Sequence, residues 1–349
     1  MTVAAKAPSS ARSDAELRYR QLRISDPDRY PGLVHRIPPR ADLVEIVATY
    51  VYQGWPENKG WCARCEGHRH QRGFIASLSD GSAVMLGRNC GQAVFGTSWD
   101  HLEAAFKATR SRQDRLLELD RMAPIIDRLL ERLKAWRHPA QKLTASHRRF
   151  RAEIPILQQK LSDAVAQAGG VLTVHVRERD AAEEARRAER GTGGDEPVYR
   201  WVEKSVHRIA GQGYFAARDP QALVAESEKA LKEVRAAQGD TDARSLASLK
   251  QLKRHIETAV ENLQTVAAVH SGAGAFFEPR NLRAIAEWAN EARGAGQRDL
   301  HGHFDADGEE LYLETPDGQV CSMGPPPDLG SLDPEVLDLA AQLRPSASD

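Results

Sequence analysis

Three of the four cysteines lie within 29 positions, and this cluster restricts the possible folds more than any other feature of the sequence. Cys62 and Cys65 form a CxxC pair, and Cys90 follows 25 residues after it. A two-residue spacer lets both sulfurs of a tight knuckle reach one metal ion at about 2.3 Å. The spacing predicts a zinc site, and the alternative is a set of reduced, metal-free cysteines.

The segment between the pair and the third cysteine predicts a β-hairpin. Gly73–Leu78 and Ser82–Gly87 are strand-like, and they flank Asp80-Gly81, a strong two-residue turn signal. Such a hairpin would fold the chain back and bring Cys90 to the CxxC pair. Gly91 follows Cys90 and suits a sharp turn into a helix, whose N-terminal dipole would stabilise a thiolate.

The stretch Trp61 to Gly96, about a tenth of the chain, resembles treble-clef and zinc-ribbon-like fingers. The run Gly87-Arg88-Asn89-Cys90-Gly91 is also similar to small zinc modules in uncharacterised bacterial and phage proteins. The resemblance implies that a knuckle, a hairpin and a helix start share one structural zinc ion. It also implies a fourth ligand three or four residues after Cys90, where this chain has Ala93 and Val94.

The candidates for the fourth ligand are therefore histidines and the remaining cysteine. His68 and His70 directly follow the pair, and we expect one of them to complete the site without choosing between them. His101 and Cys321 are weaker candidates. Three cysteine ligands and no obvious general base favour a structural Zn²⁺ over a catalytic one, and no thioredoxin-like context supports a redox pair.

Composition places the chain among soluble globular proteins of two or three domains. It has 349 residues, of which 41% are hydrophobic and 28% are charged. No apolar run approaches the roughly 20 residues that span a bilayer, so we expect no membrane partner. Because the first twelve residues lack the apolar segment of a secretory signal, we expect a cytoplasmic location.

Charge is distributed unevenly, although the formal net charge is only −1. Residues 1–151 contain 26 Lys and Arg against 16 Asp and Glu, whereas residues 301–349 contain one Arg against 11 acids. Such asymmetry indicates a polyanion-binding part joined to an acidic tail, or charged solvated faces that happen to segregate. The candidate phosphate contacts are Arg110, Arg112, Arg115, Arg128, Arg132 and Lys134.

The pattern of the whole chain predicts an α+β protein: a small zinc-stabilised hairpin module followed by a mainly helical body, either an antiparallel bundle or coiled-coil-like. The expected parts are a tail with a short helix (1–40), the zinc module (41–98), the helical body (99–300) with a β insertion near 171–209, a β-hairpin (301–324) and a Pro-rich acidic tail (325–349).

Proline and glycine positions predict where the helices are interrupted. We expect Pro124 and Pro155 to kink or restart their helices, Pro139 to break the chain, and Gly169-Gly170 to stop a helix. Further helices are predicted over Pro220–Gln238, Thr241–His270, Pro279–Ala292 and Asp333–Leu343, the last capped by Ser331.

These features predict a zinc-binding, nucleic-acid-associated accessory protein that uses a structural zinc module and basic helices. The alternative is a protein–protein adaptor, or a self-associating chain, whose apolar seams at Leu119–Trp136 and Leu249–Leu263 pair with partner helices. An enzyme is the least favoured class, because the sequence contains no assembled acid–base or nucleophile pattern.

Overall fold

The computed structural model describes residues 12–54, 57–191, 196–215, 218–242, 244–294, 301–305, 310–315, 318–324 and 329–344. The chain divides into two compact units. Unit 1 comprises residues 1–124 and 236–253, and unit 2 comprises residues 125–235 and 254–349. Both units mix helix and strand, and the fold is mainly helical with small sheets.

Unit 1 is built around a five-stranded sheet. The strands of this unit are β1 (Arg23–Ile24), β2 (Leu33–Val34), β3 (Leu43–Val51), β4 (Gly60–Cys62), β5 (Gly67–His70), β6 (Arg72–Leu78) and β7 (Ala83–Leu86). The order in the five-stranded sheet is β1-β3-β6-β7-β2, and β4 and β5 form a separate two-stranded sheet. Strand β6 pairs antiparallel with β3 and β7, whereas β1 and β2 add to the edges in parallel.

Apolar side chains cover both faces of this sheet, and every residue of β7 is buried. One face carries Ile46, Ala76 and Val84 in a core cluster that also contains Cys62 and Trp99. The other face carries a smaller cluster with Tyr50, Ile75 and Met85. Burial on both faces explains why β7 has a continuous apolar sequence instead of an alternating one.

Ten α-helices lie in the described part of the chain. They are α1 (Asp14–Tyr19), α2 (Arg88–Phe95), α3 (Thr97–Leu133), α4 (Arg137–Glu153), α5 (Pro155–Ala168), α6 (Ala181–Glu189), α7 (Pro220–Gln238), α8 (Leu246–Phe276), α9 (Pro279–Gly294) and α10 (Glu335–Gln342). None of the described helices is both long and apolar enough to cross a membrane.

Unit 2 contains two further antiparallel sheets. Strands β8 (Val171–Arg179) and β9 (Tyr199–Arg208) form a two-stranded ribbon, and α6 lies between them in sequence. The second sheet consists of β10 (His301–Asp305), β11 (Glu310–Glu314) and β12 (Val320–Met323). Both sheets contribute apolar side chains to one core cluster with helices α4, α5, α8 and α9.

Most predicted elements are confirmed. The hairpin around Asp80-Gly81 forms, with Gly81 at φ +88°, and Gly169 ends α5 in the left-handed conformation. The chain also breaks at Ile154, directly before Pro155. The predicted tail through residue 11, the turn residues 316–317 and the linker prolines 325–327 lie outside the described residues.

Helix α3 continues through Pro124, so no new helix starts at this proline, and a kink there stays a prediction. Two predictions about helix boundaries are wrong. Pro139 does not break the chain but lies in the first turn of α4, where its missing N–H removes no intrahelical hydrogen bond. Ser331 does not cap the last helix; instead the Asp333 carboxylate accepts a hydrogen bond from the Glu335 backbone N–H at 3.0 Å.

Candidate metal centre

The three clustered cysteines meet in space. The Sγ atoms of Cys62, Cys65 and Cys90 all lie within 4.8 Å of one another, and those of Cys65 and Cys90 are 3.4 Å apart. A tetrahedral ion with sulfur ligands at about 2.3 Å would hold its sulfurs about 3.8 Å apart. The group therefore has the dimensions of a three-sulfur metal site.

The CxxC segment forms a tight turn that positions the first two sulfurs. Strand β4 ends at Cys62, and the backbone N–H of Glu66 donates to the Cys62 carbonyl at 2.8 Å. Glu66 closes the turn at φ +50°, an uncommon conformation for a residue with a side chain. A second bond, from the Ala63 N–H to the Met85 carbonyl at 3.0 Å, fixes the turn against β7.

The third sulfur is positioned by the start of helix α2. The hairpin β6–β7 leads to Gly87, the N-cap residue, and Cys90 is the third residue of the helix. Gly91 lies against the indole of Trp99, where a Cβ would be 2.4 Å from the ring. The absence of a side chain at this position lets α2 approach α3 and places Cys90 opposite the knuckle.

Burial and hydrogen bonding shift the pKa values of Cys62 and Cys90 in opposite directions. Burial by itself would raise the pKa of Cys62, but backbone N–H groups of Cys65, Arg64 and Gly87 donate to its sulfur, and the pKa is lowered overall. Burial raises the pKa of Cys90 to about 11, and hydrogen bonds and negative charge from the other two sulfurs act in the same direction. A divalent cation would offset this crowding of negative charge.

Neither predicted histidine joins the three sulfurs. The Nδ1 of His68 donates to the Lys59 carbonyl at 2.7 Å, and its ring packs edge-on against Trp61. The Nε2 of His70 is hydrogen-bonded to the Tyr50 hydroxyl at 2.5 Å, and burial lowers the His70 pKa. The identity of the fourth ligand stays a prediction.

The two weaker candidates also lie outside the group. His101 is exposed on α3, and Cys321 is half-buried on β12 in unit 2. Residues Ala93 and Val94, at the positions where the finger resemblance implies a ligand, carry no donor atom on α2. Among the described residues, the three cysteines are the group whose donors converge.

Most of the candidate phosphate contacts are occupied by carboxylates of the same chain. Arg112 pairs with Asp14, Arg115 with Glu118, and Lys134 with Glu131. Arg128 and Arg132 both pair with Glu335, although this residue is more than 200 positions away in sequence. Of the six candidates, Arg110 alone lacks an ion pair with any described residue. The basic helices therefore offer less free positive charge than their sequence indicates.

An exposed aromatic and cationic surface on the ribbon was missed by sequence analysis. Trp201 is 59% exposed and Tyr199 is 44% exposed. The two residues are two positions apart on β9 and therefore lie on the same face of the ribbon. Arg177, opposite Trp201 on β8, places its guanidinium 4.3 Å from the centre of the Tyr199 ring. The alternation Tyr199-Arg200-Trp201 was the available signal, because it places both aromatic rings on one face of a strand.

Comparison with protein-family models, with curated proteins and with solved structures found no match to this chain.

Proposed function

We propose that this chain is a zinc-binding protein in which Cys62, Cys65 and Cys90 hold a structural Zn²⁺ ion. The convergence of the three sulfurs is the observation that carries the proposal. Soft thiolates favour zinc among the common divalent ions, and Cys62 belongs to the core cluster of unit 1. Metal bound there would link the knuckle, the hairpin and helix α2, so its binding free energy would stabilise the fold.

Chelation tests this role, with Cys321 as an internal control. In the zinc-loaded protein, a chelator should lower the midpoint of thermal unfolding, because a ligand that binds only the folded state stabilises it by mass action. Cys65→Ser should have the lower midpoint already and respond little to the chelator. Cys321→Ser, a change outside the group, should behave as wild type. Equal chelator responses in wild type and Cys65→Ser would contradict the proposal.

We further propose that the protein associates with single-stranded nucleic acid, and that it does so through the ribbon instead of the basic helices. Exposed aromatic rings stack on bases, and nearby arginines neutralise phosphates. Tyr199 and Trp201 are two residues apart on one strand, a separation of about 6.6 Å. This separation is roughly twice the 3.4 Å distance between successive bases of a duplex strand. Two such rings can therefore each stack on a neighbouring base when the bases are spread apart, as in a single strand, but not when they are stacked in a duplex.

Binding of a fluorescent single-stranded oligonucleotide tests this assignment. Trp201→Ala should weaken binding by about ten-fold, since stacking contributes on the order of 1–3 kcal/mol per base. Tyr19→Ala removes another highly exposed aromatic ring, on α1, and should leave affinity unchanged. Binding should also weaken as the salt concentration rises. Equal affinities in wild type and Trp201→Ala would contradict nucleic-acid binding through the ribbon.

The alternative function, a protein adaptor, would use the ribbon and not the two apolar helix seams that the sequence suggested. Leu129, Leu133, Ile256 and Leu263, from the two apolar seams, are buried within the chain and therefore cannot pair with partner helices. The ribbon still offers an exposed tryptophan, a residue type enriched in protein interfaces. Oligomers that dissociate in Trp201→Ala, together with no oligonucleotide binding, would favour the adaptor.

A further inference from the structure

The residues that the structure describes supply no fourth donor to the three-cysteine group. All 12 histidines and all four cysteines lie in the described part of the sequence, so a missing Cys or His ligand is not hidden in the remainder. Within that part, no histidine, aspartate or glutamate lies close enough to the three sulfurs to complete the group. Zinc with three protein ligands retains one open coordination position.

The donor atoms of Glu66 and His70 are held in other interactions. Glu66, next to Cys65, forms an ion pair with Arg36 at 2.7 Å. The His70 ring packs against Gly60, Gly73 and Gly87. A Cβ on Gly73 would lie 2.7 Å from its Nε2, and a Cβ on Gly87 would lie 3.6 Å from its Nδ1. Moving this ring into the sulfur group would break its bond to Tyr50 and displace it from a close-packed site.

Exposure shows on which side of the group the open position lies. Cys62 is fully buried, Cys90 is half-buried, and Cys65 is exposed at the turn of the knuckle. Arg64, between the two knuckle cysteines, is also exposed and carries no described ion pair. The solvent side of the group therefore combines a soft sulfur edge with a cation that would attract an anionic ligand.

We propose that the bound ion keeps its fourth coordination position open to solvent and that a small-molecule thiol binds there as a thiolate. This inference rests on the proposed metal site and specifies its ligand chemistry. In the exchange, the thiol releases its proton to solvent, its sulfur forms a bond to the ion, and the bound water leaves. No oxidation or reduction takes place. The product is a four-sulfur coordination, a common arrangement for protein-bound zinc.

Cobalt substitution of the full-length protein tests this inference, because Co²⁺ reports its ligands through visible absorption whereas Zn²⁺ does not absorb. The Co²⁺ protein is titrated with 2-mercaptoethanol. We expect a saturable change in the visible bands and a stronger sulfur-to-cobalt charge-transfer band, with one thiol bound per cobalt. His68→Ala and His70→Gln should have the wild-type spectrum before the thiol is added and the same response after it. The glutamine keeps a polar partner for Tyr50.

Two results would overturn the inference while leaving the metal site in place. One is a cobalt spectrum that does not respond to the thiol. The other is a thiol-free spectrum that changes in His68→Ala or His70→Gln, which would show that an imidazole already occupies the position. Failure of the wild-type protein to take up cobalt would overturn both this inference and the proposed zinc site.

Discussion

At the scale of single residues, close packing at Gly91 determines whether the third cysteine can reach the other two. A Cβ at this position would lie 2.4 Å from the Trp99 ring, and Trp99 is fully buried. Its indole N–H donates to Glu103 at 3.1 Å, and Glu103 also pairs with Arg88 at the start of α2. The ring therefore cannot move without disturbing the beginning of the helix that carries Cys90.

We predict that Gly91→Ala lowers the free energy of unfolding by about 1–3 kcal/mol, because an added methyl group overfills a close-packed site. Gly274→Ala is the matched control. This glycine is also helical, but no atom lies within 4 Å of its added Cβ, so alanine should stabilise by up to about 1 kcal/mol. Denaturant unfolding measures both changes. Equal effects in the two variants would show that the contact with Trp99 is unimportant.

Asp14 provides a pH-dependent contribution to stability. Burial by itself would raise its pKa, but hydrogen bonds from Arg112 and Thr241 and the Arg112 charge lower it below the ordinary value of 3.8. A carboxylate with a lowered pKa stabilises the fold above its ordinary pKa and loses this contribution as the pH falls through the folded-state pKa. The native protein should therefore lose stability progressively below about pH 4.

Asp14→Asn tests this contribution. At neutral pH the variant should lose about 1–3 kcal/mol of unfolding free energy, since Arg112 keeps its charge without a charged partner. It should also show a shallower loss of stability in acid, whereas Asp338→Asn, an exposed carboxylate on α10, should follow wild type. Parallel acid unfolding curves for wild type and Asp14→Asn would contradict this assignment.

The sequence was sufficient to predict the cysteine group, but not which carboxylates the arginines pair with. A CxxC pair, an Asp-Gly hairpin and a helix start are local signals, so their spacing predicts the meeting of three sulfurs. Arg128 and Glu335 are separated by 207 positions, and no local pattern indicates that they meet. The helices therefore leave less positive charge free for phosphate than their sequence indicates.

At the scale of secondary-structure elements, helix α10 belongs to the core of unit 2 although its acidic surroundings predicted a tail. Val336, Leu339 and Leu343 are at most 1% exposed. The Trp136 indole N–H donates to the Asp333 carbonyl at 3.1 Å, directly before the helix. The apolar spacing of three to four residues was visible in sequence, but the surface that it covers was not.

We predict that Leu339→Ala lowers the free energy of unfolding by about 2–5 kcal/mol, because it removes a fully buried side chain and leaves a cavity. Leu117→Ala removes a leucine that is 46% exposed on α3, and it should change stability by less than about 0.5 kcal/mol. Thermal or denaturant unfolding provides the comparison. Similar values for the two variants would mean that α10 contributes little to the fold.

The prolines show why some boundaries could not be predicted. A proline inside a helical pattern can end a helix, kink it or start a new one, and only the surrounding structure selects the outcome. Pro155 starts α5, Pro139 lies in the first turn of α4, and Pro124 is inside α3. The two-residue edge strands β1 and β2 were also missed, because they are too short to show a periodic pattern.

At the scale of the whole molecule, we infer that a metal ion completes the packing of unit 1. Cys62 is part of the same core cluster as Trp99 and Phe106, so the sulfur group is continuous with the apolar core. Loss of the ion should therefore affect folding of this unit and not only a local loop. The core cluster of unit 2 contains none of the three sulfurs and should be less sensitive to chelation.

The most direct test is the metal content of the purified full-length protein, prepared without a histidine tag and measured by elemental analysis. We predict close to one zinc ion per chain, lost in Cys90→Ser and retained in Cys321→Ser. Wild-type protein that is folded and free of metal after refolding with excess zinc would contradict the inferred role of the metal ion.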